Sequence, residues 1–117
     1  MLKYLPYPEK QLQADVCERL TLNGWRFCHF RPARTKTGWV TAIQGHPGFL
    51  DIVAVRGGRL LFIELKGIDN RGREGKLTNA EHDWSNDLQS VAKTNPGVEV
   101  YHWWPDALRV VIDRVLK

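Results

Sequence analysis

Leu12, Val16 and Leu20 recur at every fourth position of an otherwise polar segment, which predicts one stripe of an amphipathic helix over residues 8–23. Pro8 suits a first helical turn, where its missing N–H has no partner to lose, and Asn23-Gly24 is a stop signal. Residues 25–31 (WRFCHFR) then alternate aromatic with polar side chains, the period of a strand. Residues 32–47 keep no period. Rich in Thr, Gly and basic residues, they are predicted to form one long connection, and such loops in small domains are commonly functional.

Two apolar runs, 49–56 and 59–66, meet at Gly57-Gly58, the signature of a β-hairpin with a tight turn. Val53, Val55, Leu60 and Phe62 fall on one face, and Ile52, Ala54, Leu61 and Ile63 on the other. A strand pair apolar on both faces is expected in the middle of a sheet covered on both sides by helices. Residues 67–76 (GIDNRGREGK) read as a polar, Gly-rich loop. Thr78, with Glu81 at the capping-box spacing, predicts the start of a helix that runs through about residue 93. Asn95-Pro96-Gly97 breaks it, residues 98–103 form a strand, and Pro105 opens a last helix carrying Leu108, Val111, Ile112 and Val115. The predicted order is α-β-β-β-α-β-α: an α/β fold, a single domain over 1–117, with a central mixed sheet flanked by helices.

Composition narrows the class. A chain of 117 residues suits one domain, and 43% hydrophobic with 26% charged residues excludes a disordered or fibrous chain. No apolar run approaches the roughly 18 residues a membrane span needs, and the N-terminus lacks the apolar stretch of a signal peptide. Cys17 and Cys28 fit no metal spacing and point to a reducing, cytoplasmic setting. The net charge of +4 is a mild bias toward polyanionic partners.

Chemistry enters through the hairpin register. With Gly57-Gly58 as the two central turn residues, Asp51 falls opposite Glu64, and Lys66, two residues on, shares the face of Glu64. Directly opposed like charges are destabilising in a sheet. A divalent cation would offset that, because hard ions take carboxylate and carbonyl oxygens. The plain alternative is an acid at a solvated strand start and a surface ion pair. It accords poorly with a Glu64 flanked by Leu61, Phe62, Ile63 and Leu65, since an unpaired buried charge is expensive. The first helix offers two more acids. Glu9 lies about 60° from the Leu12 stripe and Glu18 about 120° from it on the other side, so Glu9 is nearer the buried face.

Gly48-Phe49-Leu50-Asp51, followed after the hairpin by Glu64-Leu65-Lys66, resembles the PD-(D/E)xK motif of restriction-endonuclease-like nucleases. The similarity is greatest to the virus-type replication-repair (VRR-NUC) branch and covers nearly the whole chain. Glu9-Lys10-Gln11-Leu12-Gln13 resembles that branch's early Glu-x-x-Leu-Gln helix; Gly24-Trp25 with His29, Phe62 to Lys66, and Trp103-Trp104-Pro105 resemble its later motifs in order. Leu50 stands where the family has Pro, and Glu81 where it usually has Gln.

The resemblance implies a restriction-endonuclease-like core and a metal-dependent structure-selective DNA endonuclease, with four-way (Holliday) junction resolution as the reaction. It implies magnesium, replaceable by manganese, held by Asp51, Glu64, the Leu65 carbonyl and Glu9, with Lys66 orienting water or stabilising the transition state. Glu81 and His29 are accessory candidates; a helix-capping Glu and a structural His are their plain readings. Arg31, Arg34, Lys36, Arg71, Arg73 and Lys76, on loops flanking the hairpin, are candidate phosphate contacts. Branched DNA, a homodimer, no membrane, no small-molecule cofactor, and a nucleoid-associated place in a bacterial or phage-infected cell complete the expectation. Two other classes compete: a catalytically silent DNA-binding or assembly module with this fold, and a flap or duplex nuclease without junction preference.

Overall fold

Helix α1 (Glu9–Leu22) forms on the predicted stripe, and Leu12, Val16 and Leu20 are fully buried. Pro8 is its N-cap, where its carbonyl accepts from the Gln11 and Leu12 amides at 3.0 and 3.1 Å. At the other end Asn23 caps the helix and Gly24, at φ 76°, takes the left-handed turn that a side chain would resist. The computed structural model describes residues 6–30, 33–36, 38–40, 43–108 and 110–117.

Strands β1 (Arg26–His29), β2 (Ala33–Thr35), β3 (Gly38–Val40), β4 (Ile52–Arg56) and β5 (Arg59–Leu65) follow, then helix α2 (Asn79–Ala92), strand β6 (Val98–Trp103), a 3₁₀ turn (Pro105–Leu108) and helix α3 (Val111–Leu116). The architecture is α/β, with a four-stranded mixed sheet in the order β1-β4-β5-β6 and three helices. β1, β4 and β5 run antiparallel, whereas β6 joins β5 in parallel through the crossover that contains α2. The β4–β5 register is the one the turn dictates, with Ile52 opposite Ile63 and Arg56 opposite Arg59. No helix among the described residues is long and apolar enough to cross a membrane.

Three expectations need correction. The connection 32–47 is not structureless: β2 and β3 pair in a separate small hairpin, Ala33 opposite Val40 and Thr35 opposite Gly38. Strands of three residues are too short to show a period. The two faces of the central hairpin are also unequal. Ile52, Ala54, Leu61 and Ile63 are buried with Leu12, Val16, Leu20, Ile112 and Leu116 in the core under α1 and α3. On the opposite face α2 packs against β6, and Val55 is left 40% exposed. Last, the final helix is split: Pro105 opens a 3₁₀ turn, closed by the Ala107 amide on the Trp104 carbonyl at 2.9 Å, and α3 starts afresh at Val111.

At the turn end of the hairpin, two guanidiniums lie over the ring of Trp25, Arg56 at 4.5 Å and Arg59 at 5.0 Å from its centre. Its indole N–H donates to the Leu116 carbonyl at 2.8 Å, Arg56 Nη1 donates to the Asn23 and Leu116 carbonyls at 2.7 and 3.0 Å, and Arg59 Nη1 donates to the Val115 carbonyl at 2.9 Å. Arg59 also pairs with Glu99 at 2.6 Å. Cations on the last carbonyls of α3 complement its dipole, and stacking on Trp25 adds a cation–π contribution.

Candidate metal centre

The acids gather at the other end of the same strands. The β4–β5 ladder stops at Ile52 and Ile63, so Asp51 stands just outside it; its Oδ2 instead accepts from the Leu65 amide at 2.8 Å. Its backbone carbonyl accepts from the Phe30 amide at 2.9 Å, which fixes the residue between β1 and β5. Asp51 therefore does face the Glu64 region, but through a side-chain bond to the strand rather than as a ladder partner. Glu64 is 1% exposed on β5, in register with His102 of β6.

α1 brings in Glu9. Its first turn is pinned beside the β5 exit by the Tyr7–Ile68 bridge, with Tyr7 N–H to Ile68 O at 2.9 Å and Ile68 N–H to Tyr7 O at 2.8 Å. Gly67 makes the approach feasible: a Cβ there would lie 2.3 Å from the Glu9 nitrogen and 2.7 Å from the Tyr7 carbonyl oxygen. Among the described residues, Glu9, Asp51 and Glu64 each bring a carboxylate oxygen to within 4.8 Å of the other two. Glu18 is exposed, and His29, opposite Ile52 on β1, is not part of the group.

Lys66 and Glu81 complete the cluster. Lys66 Nζ lies 3.5 Å from Glu64 Oε1, and 2.9 and 3.1 Å from the two Glu81 oxygens. Glu81 also closes the predicted capping box: its Oε1 accepts from the Thr78 amide at 2.8 Å while its own amide donates to Thr78 Oγ1 at 3.2 Å. The helix-capping role and the site role therefore belong to one side chain. Glu64 Oε2, in contrast, is buried and meets no N–H or O–H donor. A buried oxygen without a donor beside two further carboxylates is the donor chemistry that a hard divalent ion takes.

Crowding sets the protonation. Burial raises Glu9, helped by the Asp51 charge. Burial also raises Asp51, against the pull of the Leu65 amide. Burial, the hydrogen bond to Glu81 and the Asp51 charge push Glu64 up to about 10. Burial opposes ionisation of Glu81, but hydrogen bonds with Glu64, the Thr78 amide and Lys66 outweigh it and hold Glu81 down at about 2. Burial disfavours the Lys66 ammonium too, yet the Glu81 hydrogen bond and the charges of Glu81, Glu64 and Glu9 raise it above its usual value. Without metal the centre thus holds an ionised Glu81, a protonated Lys66 and a neutral Glu64 at pH 7.

A stability profile follows. A carboxyl whose folded value exceeds its unfolded one gives stability that is complete below the unfolded value and is lost as pH climbs toward the folded value. Glu81 and Glu99, both held low, act only below about 4.5. His102, lowered by burial and by His82, makes stability rise with pH only up to its ordinary 6.5. Between roughly pH 6.5 and 9, Glu64 dominates. Melting temperature in EDTA is expected to fall across that interval, and Glu64→Gln to flatten the slope; an unchanged slope in Glu64→Gln would refute the neutral buried acid.

The basic candidates separate. Arg73 and Lys76 line a cleft of about 540 Å³ together with Pro8, Glu9, Lys66 and Gly75. The loop that carries them is held by the Gly75 amide on Gly67 O at 3.0 Å and by the Trp104 indole N–H on Gly75 O at 2.8 Å. Arg73 also pairs with Asp69 at 3.0 Å, and Arg71 is exposed outside the residues that line the cleft. Lys36 is exposed at the β2–β3 turn and Arg34 lies on β2, while Arg31 falls outside the described residues. Sequence reasoning missed Gly67, whose place directly after Glu-Leu-Lys is the one available signal, and the pair Ser85–His102. Ser85 Oγ, on α2, lies 2.7 Å from His102 Nε2 and accepts from Gln89 Nε2 at 3.1 Å. Comparison of the chain with models of protein families and with curated proteins finds no match.

Proposed function

We propose that this protein is a metal-dependent DNA endonuclease with a restriction-endonuclease-like core, acting on branched DNA and in particular on four-way junctions. The observation that carries the reading is the convergence of Glu9, Asp51 and Glu64 within 4.8 Å, with Lys66 Nζ 3.5 Å from Glu64. The start of α1 and the two arms of the β4–β5 hairpin supply these groups, in the order of the motifs that resemble the VRR-NUC branch. Glu9, Asp51, Glu64 and the Leu65 carbonyl would hold magnesium or manganese. When bound, the ion supplies Lewis acidity to a phosphodiester and lowers the pKa of water. Lys66, kept protonated by its acidic neighbours, donates to the oxygens on which charge develops and is not a proton acceptor. Arg73 and Lys76 place the phosphate backbone along the cleft that leads to Lys66, a contact that positions DNA without reading bases.

Titration of magnesium with a labelled four-way junction and a matched linear duplex tests the reading, with light scattering to weigh the particle. The expected result is a homodimer that cuts the junction in preference to the duplex at salt high enough to suppress non-specific attraction. A monomer that cuts both equally would remove the junction preference and keep the nuclease. Tight junction binding with no cleavage in magnesium or manganese would replace the nuclease with a silent DNA-binding module.

A further inference from the structure

Lys66 is held from outside the group of three acids. Glu81 grips Nζ with both oxygens, at 2.9 and 3.1 Å, and each side chain is only 14% exposed, so the pair is screened from water. Glu81 itself is fixed from two directions. The Thr78 capping box sets it at the start of α2, and four residues on, the buried Ser85 bonds His102 of β6, the register partner of Glu64. The helix cannot slide along the sheet without breaking one of these contacts. A lysine carries four rotatable side-chain bonds, and its flexibility is the disadvantage of an ammonium that must act at one point.

We propose that Glu81 is a positioning residue: it anchors the Lys66 ammonium to the cap of α2 and thereby fixes where that charge stands over Glu64 and Asp51. This rests on the nuclease reading for its consequence in the reaction, but the anchoring itself is a property of the metal-free protein. Glu81 occupies the place where the resembled family has Gln, so the anchor here is a charge-assisted pair rather than a neutral hydrogen bond.

Two measurements test it on the full chain. Acetylation of the metal-free protein by acetic anhydride, read by mass spectrometry, is expected to modify Lys66 about tenfold faster in Glu81→Ala than in the parent, the loss of a hydrogen bond to a charged group. Thr78→Ala, which removes the hydroxyl of the cap and keeps the Glu81–Lys66 pair, is expected to lower the melting temperature and leave the Lys66 rate unchanged. In single-turnover cleavage with magnesium, Glu81→Ala is expected to slow the reaction about 10–100-fold at unchanged DNA affinity. Glu81→Gln, which suits the cap and keeps one acceptor, is expected to recover most of the rate. The double variant Lys66→Ala/Glu81→Ala is expected to be no slower than Lys66→Ala alone. Equal acetylation of Lys66 in Thr78→Ala and Glu81→Ala, or losses that multiply in the double variant, would overturn the proposal. A parent protein that does not cleave, with the acetylation pattern as expected, would remove the nuclease reading while the anchor stands.

Discussion

Asp51→Ala and Glu64→Gln are each expected to lower single-turnover cleavage by at least about 10³-fold, because groups that act as one unit lose nearly the whole effect when any member is removed. The two substitutions are expected to differ in the absence of metal. Gln at position 64 keeps the size of Glu but ends the conflict of a buried acid with Asp51 and Glu81, so metal-free Glu64→Gln should melt higher than the parent at pH 8. Asp51→Ala also deletes the acceptor of the Leu65 amide at 2.8 Å and should gain little or nothing. Magnesium should raise the melting temperature of the parent and leave both variants unmoved. Magnesium-dependent cleavage retained in both would sink the assigned centre.

Gly67→Ala is expected to be strongly destabilising. The new Cβ would lie 2.3 Å from the Glu9 nitrogen, 2.7 Å from the Tyr7 oxygen and 2.8 Å from the Pro8 carbonyl carbon, all backbone atoms that no rotamer change can move away. Either the start of α1 lifts off the β5 exit or the loop after Lys66 does. Overpacking of this kind costs about 3 kcal/mol, and a melting-temperature drop of roughly 10 °C or more is the corresponding readout. Because Glu9 is the residue displaced, metal affinity should weaken as well. A variant with normal melting temperature and normal metal affinity would show that the contact between α1 and Gly67 relaxes freely.

Local signals were legible where one short segment carries the whole cause. Gly57-Gly58 dictated the β4–β5 register, the four-residue spacing in α1 marked its buried face, and Thr78 with Glu81 announced the α2 cap. The nearness of Glu9 to Asp51 and Glu64 was legible in part, since the helical wheel turned Glu9 rather than Glu18 toward the sheet. What escaped depends on how elements meet. The exposure of Val55 follows from where α2 lies on β6, and no apolar pattern states that. The Glu81–Lys66 pair requires the start of α2 to reach across to the end of β5, and the His102–Glu64 register requires a parallel crossover whose offset no turn residue encodes. The break before α3 escaped because Leu108, Val111, Ile112 and Val115 fit one continuous helix as well as two short ones.

The stacked Trp25, Arg56 and Arg59 have a mechanical consequence for β5. That strand is held at its Arg59 end by contacts to the last turn of α3 and to Glu99, and its Glu64 end lies at the gathered acids. Protein stability is not uniform, and segments open locally at free energies below that of global unfolding. The Glu64 end of β5 is no such segment: it pairs with β6 as far as Leu65 opposite Trp103, and the Lys66 amide donates to the Trp103 carbonyl at 3.0 Å, so Glu64 is carried on a strand bonded at both ends. Trp25, Arg56 and Arg59 thus tie the last turn of α3 to the sheet at the end away from the acids, a purely structural role.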